Sequence, residues 1–302
     1  MILLSNADGT FPTQIDYTTG ANPISIISSD FNHDKHMDLA IVNTYGNSVS
    51  VLLGNDDGTF QNHIMYATGV NPVSVISSDF NHDKNMDLAV VNTYGNSVSV
   101  LLGNDDGTFQ NHVEHTTGAS PISITSSDFN NDQNVDLAIA NFDENTVSVI
   151  LADTNATFKP QIRYATGRNP KSLISVDFNF DNHTDLAVVN GNDNSVSILF
   201  GNGNGSFQSQ TVYETGHFPF AVISGDFNND NKIDLSVANY YDHTVSVLLG
   251  NENGTFKPQI IYAAGSFPTS LISEDFNNDN NMDIAVTNSY ENTVSIYLGN
   301  GN

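Results

Sequence analysis

The sequence predicts an all-β fold: a six-bladed β-propeller of four-stranded antiparallel blades, with residues 1–302 forming a single domain. Three observations predict it. Asp30, Asp79, Asp128, Asp177, Asp226 and Asp275 recur every 49 residues without a slip. Each period holds four short extended segments separated by turn signals. No stretch shows a helical period. Self-similarity at a fixed period of this length marks one supersecondary unit that buries its apolar faces against its neighbours, and four short strands per unit match a propeller blade.

One period, from Asp38 to Phe80, shows the elements in order. Leu39–Val42 is continuously apolar, Val49–Leu53 is β-branched and partly alternating, Phe60–Tyr66 is mixed, and Pro72–Ile76 alternates again. Asn43–Asn47, the strong hairpin turn Asn55–Gly58, and Gly69 with Pro72 separate them. The acidic nine-residue pattern D-x-N-x-D-x-x-x-D forms the remaining connection. Six periods leave eight residues over, and residues 1–8 are in register with 295–302. A six-bladed ring needs one strand at its seam, and Val294–Leu298 is expected to complete the blade begun by Phe11–Tyr17. The alternatives are seven blades or part of a longer array. Asp38–His63 and Asp87–His112 differ only at Ile41 against Val90, which reads as recent duplication.

Composition narrows the function. Cysteine is absent, so there is no disulfide framework and no thiolate chemistry. Eight Lys and Arg face 34 Asp and Glu, a net charge of −26. Such a surface repels phosphate backbones and anionic lipid, so neither nucleic acid nor membrane insertion is expected. Met1–Leu4 is too short for a signal-peptide core, and no apolar run approaches the roughly 20 residues that span a bilayer.

Three carboxylates and an amide within nine residues, six times over, exceed what Asx turns at a blade edge require. Asp30, Asn32, Asp34 and Asp38 stand at positions 1, 3, 5 and 9 of the first loop. Their equivalents are Asp79, Asn81, Asp83 and Asp87; Asp128, Asn130, Asp132 and Asp136; Asp177, Asn179, Asp181 and Asp185; Asp226, Asn228, Asp230 and Asp234; and Asp275, Asn277, Asp279 and Asp283. The backbone carbonyl at position 7 is the expected fifth ligand, from His36, Asn85, Asn134, His183, Lys232 and Asn281. Hard oxygen donors at this spacing suit Ca2+, about six ions in all, one per repeat; magnesium favours retained waters, and transition metals favour His or Cys. The side chains of His33, His36, His82 and His183 are read as non-ligands. Such loops need calcium well above resting cytosolic levels, so an extracellular or cell-surface setting is expected. The sequons at Asn155, Asn182, Asn204 and Asn253 agree with that setting but weigh little.

The run D-F-N-x-D-x-x-x-D-L-A-x-x-N, then N-x-V-S-V-L-L-G-N and G-T-F, resembles the FG-GAP/VCBS repeat family over essentially the whole chain. Relatives in that family include the calcium-bearing propeller of integrin α-subunits and several propeller lectins. The resemblance implies that side chains at positions 1, 3, 5 and 9 coordinate calcium, chiefly for structure. One departure stands out. The family favours Gly at positions 4 and 6, whereas position 6 here is Lys35, Lys84, Gln133, Asn182, Asn231 and Asn280. Because Asn tolerates positive φ better than Lys or Gln, the last three loops are expected to be the better formed.

The recurring Phe31 and Phe60 series and the Tyr17 series, broken only by His115, read as inter-blade core. The repeats differ in their turns: Thr44-Tyr-Gly46, Thr93-Tyr-Gly95, Phe142-Asp-Glu144, Gly191-Asn-Asp193, Tyr240-Tyr-Asp242 and Ser289-Tyr-Glu291. Arg168, Lys171, Phe218, Phe220 and Phe267 vary a second connection. These mark the faces where a ligand is sought. The favoured function is a calcium-stabilised binding or adhesion module for a protein or glycan, a monomeric ring without enzymatic activity. A hydrolase or lyase on the same scaffold is the rival, and its expected nonrepeating constellation amounts only to His115, Arg163, Arg168 and Lys171. A structural spacer is the third reading.

Overall fold

The computed structural model describes residues 2–4 and 13–301, and all but one of its elements are β-strands. Contacts divide the chain into two compact units, residues 1–117 with 153–158, and residues 118–152 with 159–302. The first unit holds two four-stranded sheets. One is Pro23–Ser29, Asp38–Asn43, Ser48–Leu52 and Ile64–Ala67; the other is Pro72–Ser78, Asp87–Asn92, Ser97–Leu101 and Val113–Thr116. The second unit repeats the plan in the sheet of Pro121–Ser127, Asp136–Asn141, Thr146–Ile150 and Ile162–Ala165 and in those spanning Pro170–Glu214 and Pro219–Ala263, then adds a three-stranded sheet, Pro268–Glu274, Asp283–Asn288 and Thr293–Tyr297. Strands pair antiparallel in chain order throughout these sheets.

The second strand, D-L-A-x-x-N, is a continuous apolar run because both of its faces are covered: every residue of Asp87–Asn92 is buried. The third strand alternates V-S-V and is buried on both faces too. Its serine is satisfied by the asparagine that ends the second strand, with Asn43 Nδ2 donating to Ser50 Oγ at 2.9 Å. Ser50 Oγ also accepts the Gly20 N–H at 3.1 Å. Gly20 is required there, because a β-carbon would stand 2.6 Å from Asn43 Cγ.

Aromatic rings lock neighbouring repeats, as the recurring positions predict. Phe109 lies edge-on to Phe31 at 5.4 Å and to Tyr66 at 5.5 Å, and Phe207 repeats the contact with Phe129 and Tyr164. His115 takes the tyrosine's place against Phe158 at 5.0 Å. Phe276 departs from the core reading, being 42% exposed, and Phe227 is half-buried. Phe11 lies outside the described residues.

Two expectations are corrected. Phe60–Tyr66 is not one strand: the fourth strand is Ile64–Ala67, and Phe60 makes only an isolated bridge to Gly54, its N–H donating to the Tyr17 hydroxyl at 2.9 Å and its half-buried ring lying edge-on to Tyr17. Thr13–Ile15 pairs with Ile2–Leu4, while Thr293–Tyr297 ends its own three-stranded sheet. The N-terminal strand, not the C-terminal one, therefore stands beside Thr13–Ile15.

Each first strand carries a register shift after its opening proline, as between Pro23 and Ser25 or Pro170 and Ser172. The intervening residue is the extra member of a β-bulge, a device that re-aims a side chain. Across the repeats that residue is Ile24, Val73, Ile122, Lys171, Phe220 and Thr269.

Candidate functional site

The acidic loop joins the first strand to the second, and its shape follows from side chains capturing backbone N–H groups. In the first loop, Asp30 accepts the N–H groups of Asp34 and Lys35 at 3.2 and 2.9 Å. Asn32 Oδ1 accepts the Asp34 N–H, and Asp34 accepts the His36 N–H at 2.8 Å. Positions 1, 3 and 5 therefore wrap one tight turn. The same bonds recur from the second loop, around Asp79, to the sixth, around Asp275.

Tight wrapping forces positive φ at positions 4 and 6. His33 and Lys35 have φ of 60° and 70°, and Asn278 and Asn280 have 61° and 66°. Lys84 and Gln133, at 75° and 72°, adopt the same conformation. The expected contrast between the first and last three loops is thus absent from the backbone, because the captured N–H groups impose the turn whatever residue occupies it.

Position 9 is buried, opening the second strand. Asp38 accepts the N–H of Phe31 at 2.7 Å through one oxygen and that of Gly54 at 2.7 Å through the other. Burial pushes Asp87, Asp136 and Asp185 up to about 6, with the carboxylates at positions 1 and 5 adding to the rise against those two backbone bonds. Burial likewise raises Asp38 and Asp234. Two position 5 carboxylates move the other way: the His36 N–H holds Asp34 low, and the Asn281 N–H holds Asp279 low.

The predicted residues are brought together as loops, and the donor set is all oxygen. Among the described residues no group of three or more His, Asp or Glu side chains is placed to hold a metal ion. Neutral oxygens, the position 3 amide and the position 7 carbonyl, would have to complete a site. In donor chemistry alone, oxygen throughout with three carboxylates in one loop, the set is of the kind a hard divalent cation takes.

Sequence reading missed a lateral stitch. In three places the position 4 side chain of one loop bonds the position 7 side chain of the next: His33 Nε2 to Asn85 Oδ1 at 3.1 Å, Asn131 Nδ2 to His183 Nδ1 at 3.0 Å, and Asn229 Nδ2 to Asn281 Oδ1 at 2.6 Å. Each pair is 52 residues apart, one period plus three, a spacing visible only once the loops lie side by side. His33 and His183 are therefore inter-loop ties.

Each member of the candidate enzymatic constellation is engaged locally. His115 is packed edge-on against Phe158, and burial lowers its pKa. Arg163 pairs with Glu144 at 2.5 Å and Arg168 with Asp193 at 2.6 Å. Lys171 lies over the Phe142 ring at 4.3 Å.

An FG-GAP-like repeat model matches residues 30–90, 79–139, 128–188, 177–237 and 226–286, each match opening on a position 1 aspartate. The chain belongs to the FG-GAP-like repeat family. No curated protein sequence matches it. Solved structures show the fold. A functionally unknown protein from Desulfotomaculum acetoxidans is similar with a TM-score of 0.69 at 11% identity, over 93% of this chain and 84% of that one. A putative 6-phosphogluconolactonase from Bacteroides uniformis gives 0.71 at 15%, over 94% and 83%. Virginiamycin B lyase from Staphylococcus aureus gives 0.60 at 14%, over 92% and 84%. These neighbours are β-propeller-like, and at such identities the likeness is of fold alone. The FG-GAP-like chain is an all-β, propeller-type array of four-stranded antiparallel repeats.

Proposed function

We propose that this FG-GAP-like chain is a calcium-binding, extracellular binding or adhesion module for a glycan or protein, its scaffold held by about six Ca2+ ions. One observation carries the reading: six loops of one sequence pattern fold to one hydrogen-bonded shape, each with a position 9 aspartate opening a buried strand. In this reading the side-chain oxygens at positions 1, 3, 5 and 9 and the carbonyl at position 7 hold the ion, which supplies a fixed positive charge and no reaction chemistry. Equal sites in every repeat serve stability, so ligand recognition falls to the turns where repeats differ.

Calorimetric titration of chelator-treated protein with calcium, with a melting curve at each step, tests it. The expected result is several bound ions and a rising Tm; fewer than three ions, or an unchanged Tm, would overturn the reading. The rival, a hydrolase or lyase, draws its support from the names of fold neighbours, two of them putative 6-phosphogluconolactonases and one a lyase. Lactone hydrolysis by the calcium-loaded protein at a rate above the spontaneous one would favour it.

A further inference from the structure

Departures from the repeat consensus gather on one face of the second unit. Lys171 and Phe220 are the bulged residues of their strands, where the first three repeats carry Ile24, Val73 and Ile122. Phe142 stands at a turn position held by threonine in the first two repeats. Phe218 and Phe267, both with φ of 57°, replace Asn22, Asn71, Ser120 and Asn169, which have φ of 54–61° at the same repeat position. Asparagine tolerates the left-handed region and phenylalanine does so poorly. The surroundings enforce it: Phe218 N–H donates to Asn194 Oδ1 at 2.9 Å and Phe267 N–H to His243 Nδ1 at 3.0 Å. Strain held in place this way gathers at ligand sites.

These residues meet around one ammonium. Lys171 Nζ stands 4.3, 5.3 and 5.4 Å from the ring centroids of Phe142, Phe218 and Phe220. Phe220 stacks on Tyr240 at 5.7 Å and 29°, and Tyr240 lies 4.7 Å from Phe267. In a chain of net charge −26, no carboxylate among the described residues pairs with this half-buried amine. The acids nearby in sequence are occupied: Asp143 by Ser120 Oγ at 2.5 Å, Glu144 by Arg163 and by the Ala119 N–H at 3.0 Å, and Asp193 by Arg168. Burial lowers the Lys171 pKa, so its charge lacks the solvation that a bound anion would restore.

We propose that Lys171, with Phe142, Phe218, Phe220 and Tyr240, is the recognition site for an acidic sugar, one carboxylate carried on a saturated ring. The carboxylate supplies the countercharge that Lys171 lacks. The C–H face of the ring lies on the aromatic platform, the arrangement by which apolar faces and a few placed polar groups bind small ligands. A single cation within a strongly acidic surface accepts one negative charge and rejects polyanions. An acidic peptide brings the carboxylate without the flat apolar face. The assignment rests on the reading of the variable turns as ligand-binding.

The test is calorimetry on the full chain in calcium, with a glucuronic-acid-terminated disaccharide, its carboxyl-reduced glucose counterpart and an aspartate-rich pentapeptide. The acidic sugar is expected to bind at least tenfold more tightly than either alternative. Lys171→Gln and Lys171→Thr, the latter being the residue of the sixth repeat, should each erase the preference. Lys257→Gln, an equal loss of charge outside the site, should leave it intact. Equal affinity for both sugars, equal binding of the pentapeptide, or an unchanged preference in both Lys171 variants would overturn the assignment. If sugars bind without regard to Lys171, the binding-module reading stands and the assignment falls; if no sugar binds, the assignment falls and the module reading keeps only its protein-ligand form.

Discussion

Asp87 closes the second loop by taking two buried N–H groups, from Phe80 at 2.8 Å and Gly103 at 2.8 Å. Asp87→Ala leaves both unpaired and should cost about 3 kcal/mol, read as a lower urea midpoint at constant m-value. Its titration gives a pH dependence with a definite sign. A folded-state pKa pushed up to about 6 from 3.8 means that the native metal-free protein binds the proton more tightly than the unfolded chain does. Stability from this group is therefore lost as pH rises from about 4 to about 6. Urea midpoints in chelator should fall over that window, and by less in Asp87→Asn. His115 has the opposite sense: burial lowers its pKa, so its contribution is present above about 6.5 and is lost as pH falls below that value through the lower folded-state pKa. His115→Tyr restores the residue of the other repeats and should raise Tm most at pH 5–6; an equal shift at pH 8 would contradict the titration argument. The candidate ligands were legible at this scale because their types and spacing are local. The capture of Gly54 and Gly103 by position 9 was not, since it joins residues 16 apart across two strands and the turn between them.

At the level of the element, the acidic loop shows backbone hydrogen bonds overruling residue preference. Lys35, Lys84 and Gln133 hold the same positive φ as Asn182, Asn231 and Asn280. The difference is then energetic, and Lys84→Asn should stabilise the protein by roughly 0.5–1 kcal/mol in urea unfolding, with an unchanged number of bound calcium ions. Close approach acts in the opposite direction. A β-carbon on Gly167 would meet Asn190 Cγ at 2.7 Å, so Gly167→Ala should cost about 1–3 kcal/mol. The second and third strands were readable from pattern alone because both of their faces are covered. The fourth was misread because apolar Phe60 makes only an isolated bridge, and the ladder resumes at Ile64 after the polar Gln61–His63. The bulge in the first strand left no mark in the sequence, since hydrophobic alternation carries no signature of one unpaired residue.

For the whole molecule, net charge is the dominant long-range term. Eighteen acidic side chains lie in six loops, so calcium should do more than fill sites: it should relieve repulsion across the entire chain. Adding 0.5 M NaCl to the metal-free protein should raise Tm, and the same salt should do much less to the calcium-loaded form. A salt effect of equal size in both forms would mean that the loops are not where the repulsion resides. Period and fold class were legible here because repetition is a global property of the sequence, whereas the pairing of Thr13–Ile15 with Ile2–Leu4 was not, since two strands in the same register compete for one role. The bulged residue of each first strand has a consequence of its own. It has no opposite number in the backbone ladder, so exchanging it removes no ladder pair, although Thr269 does bond Thr287 through their hydroxyls at 3.2 Å. Six copies of one frame thus carry six variable letters, now reading Ile, Val, Ile, Lys, Phe and Thr, of which the fourth and fifth touch each other. A lineage that duplicates whole repeats, as the near-identity of residues 38–63 and 87–112 indicates, can copy its scaffold wholesale and respell its specificity one letter at a time.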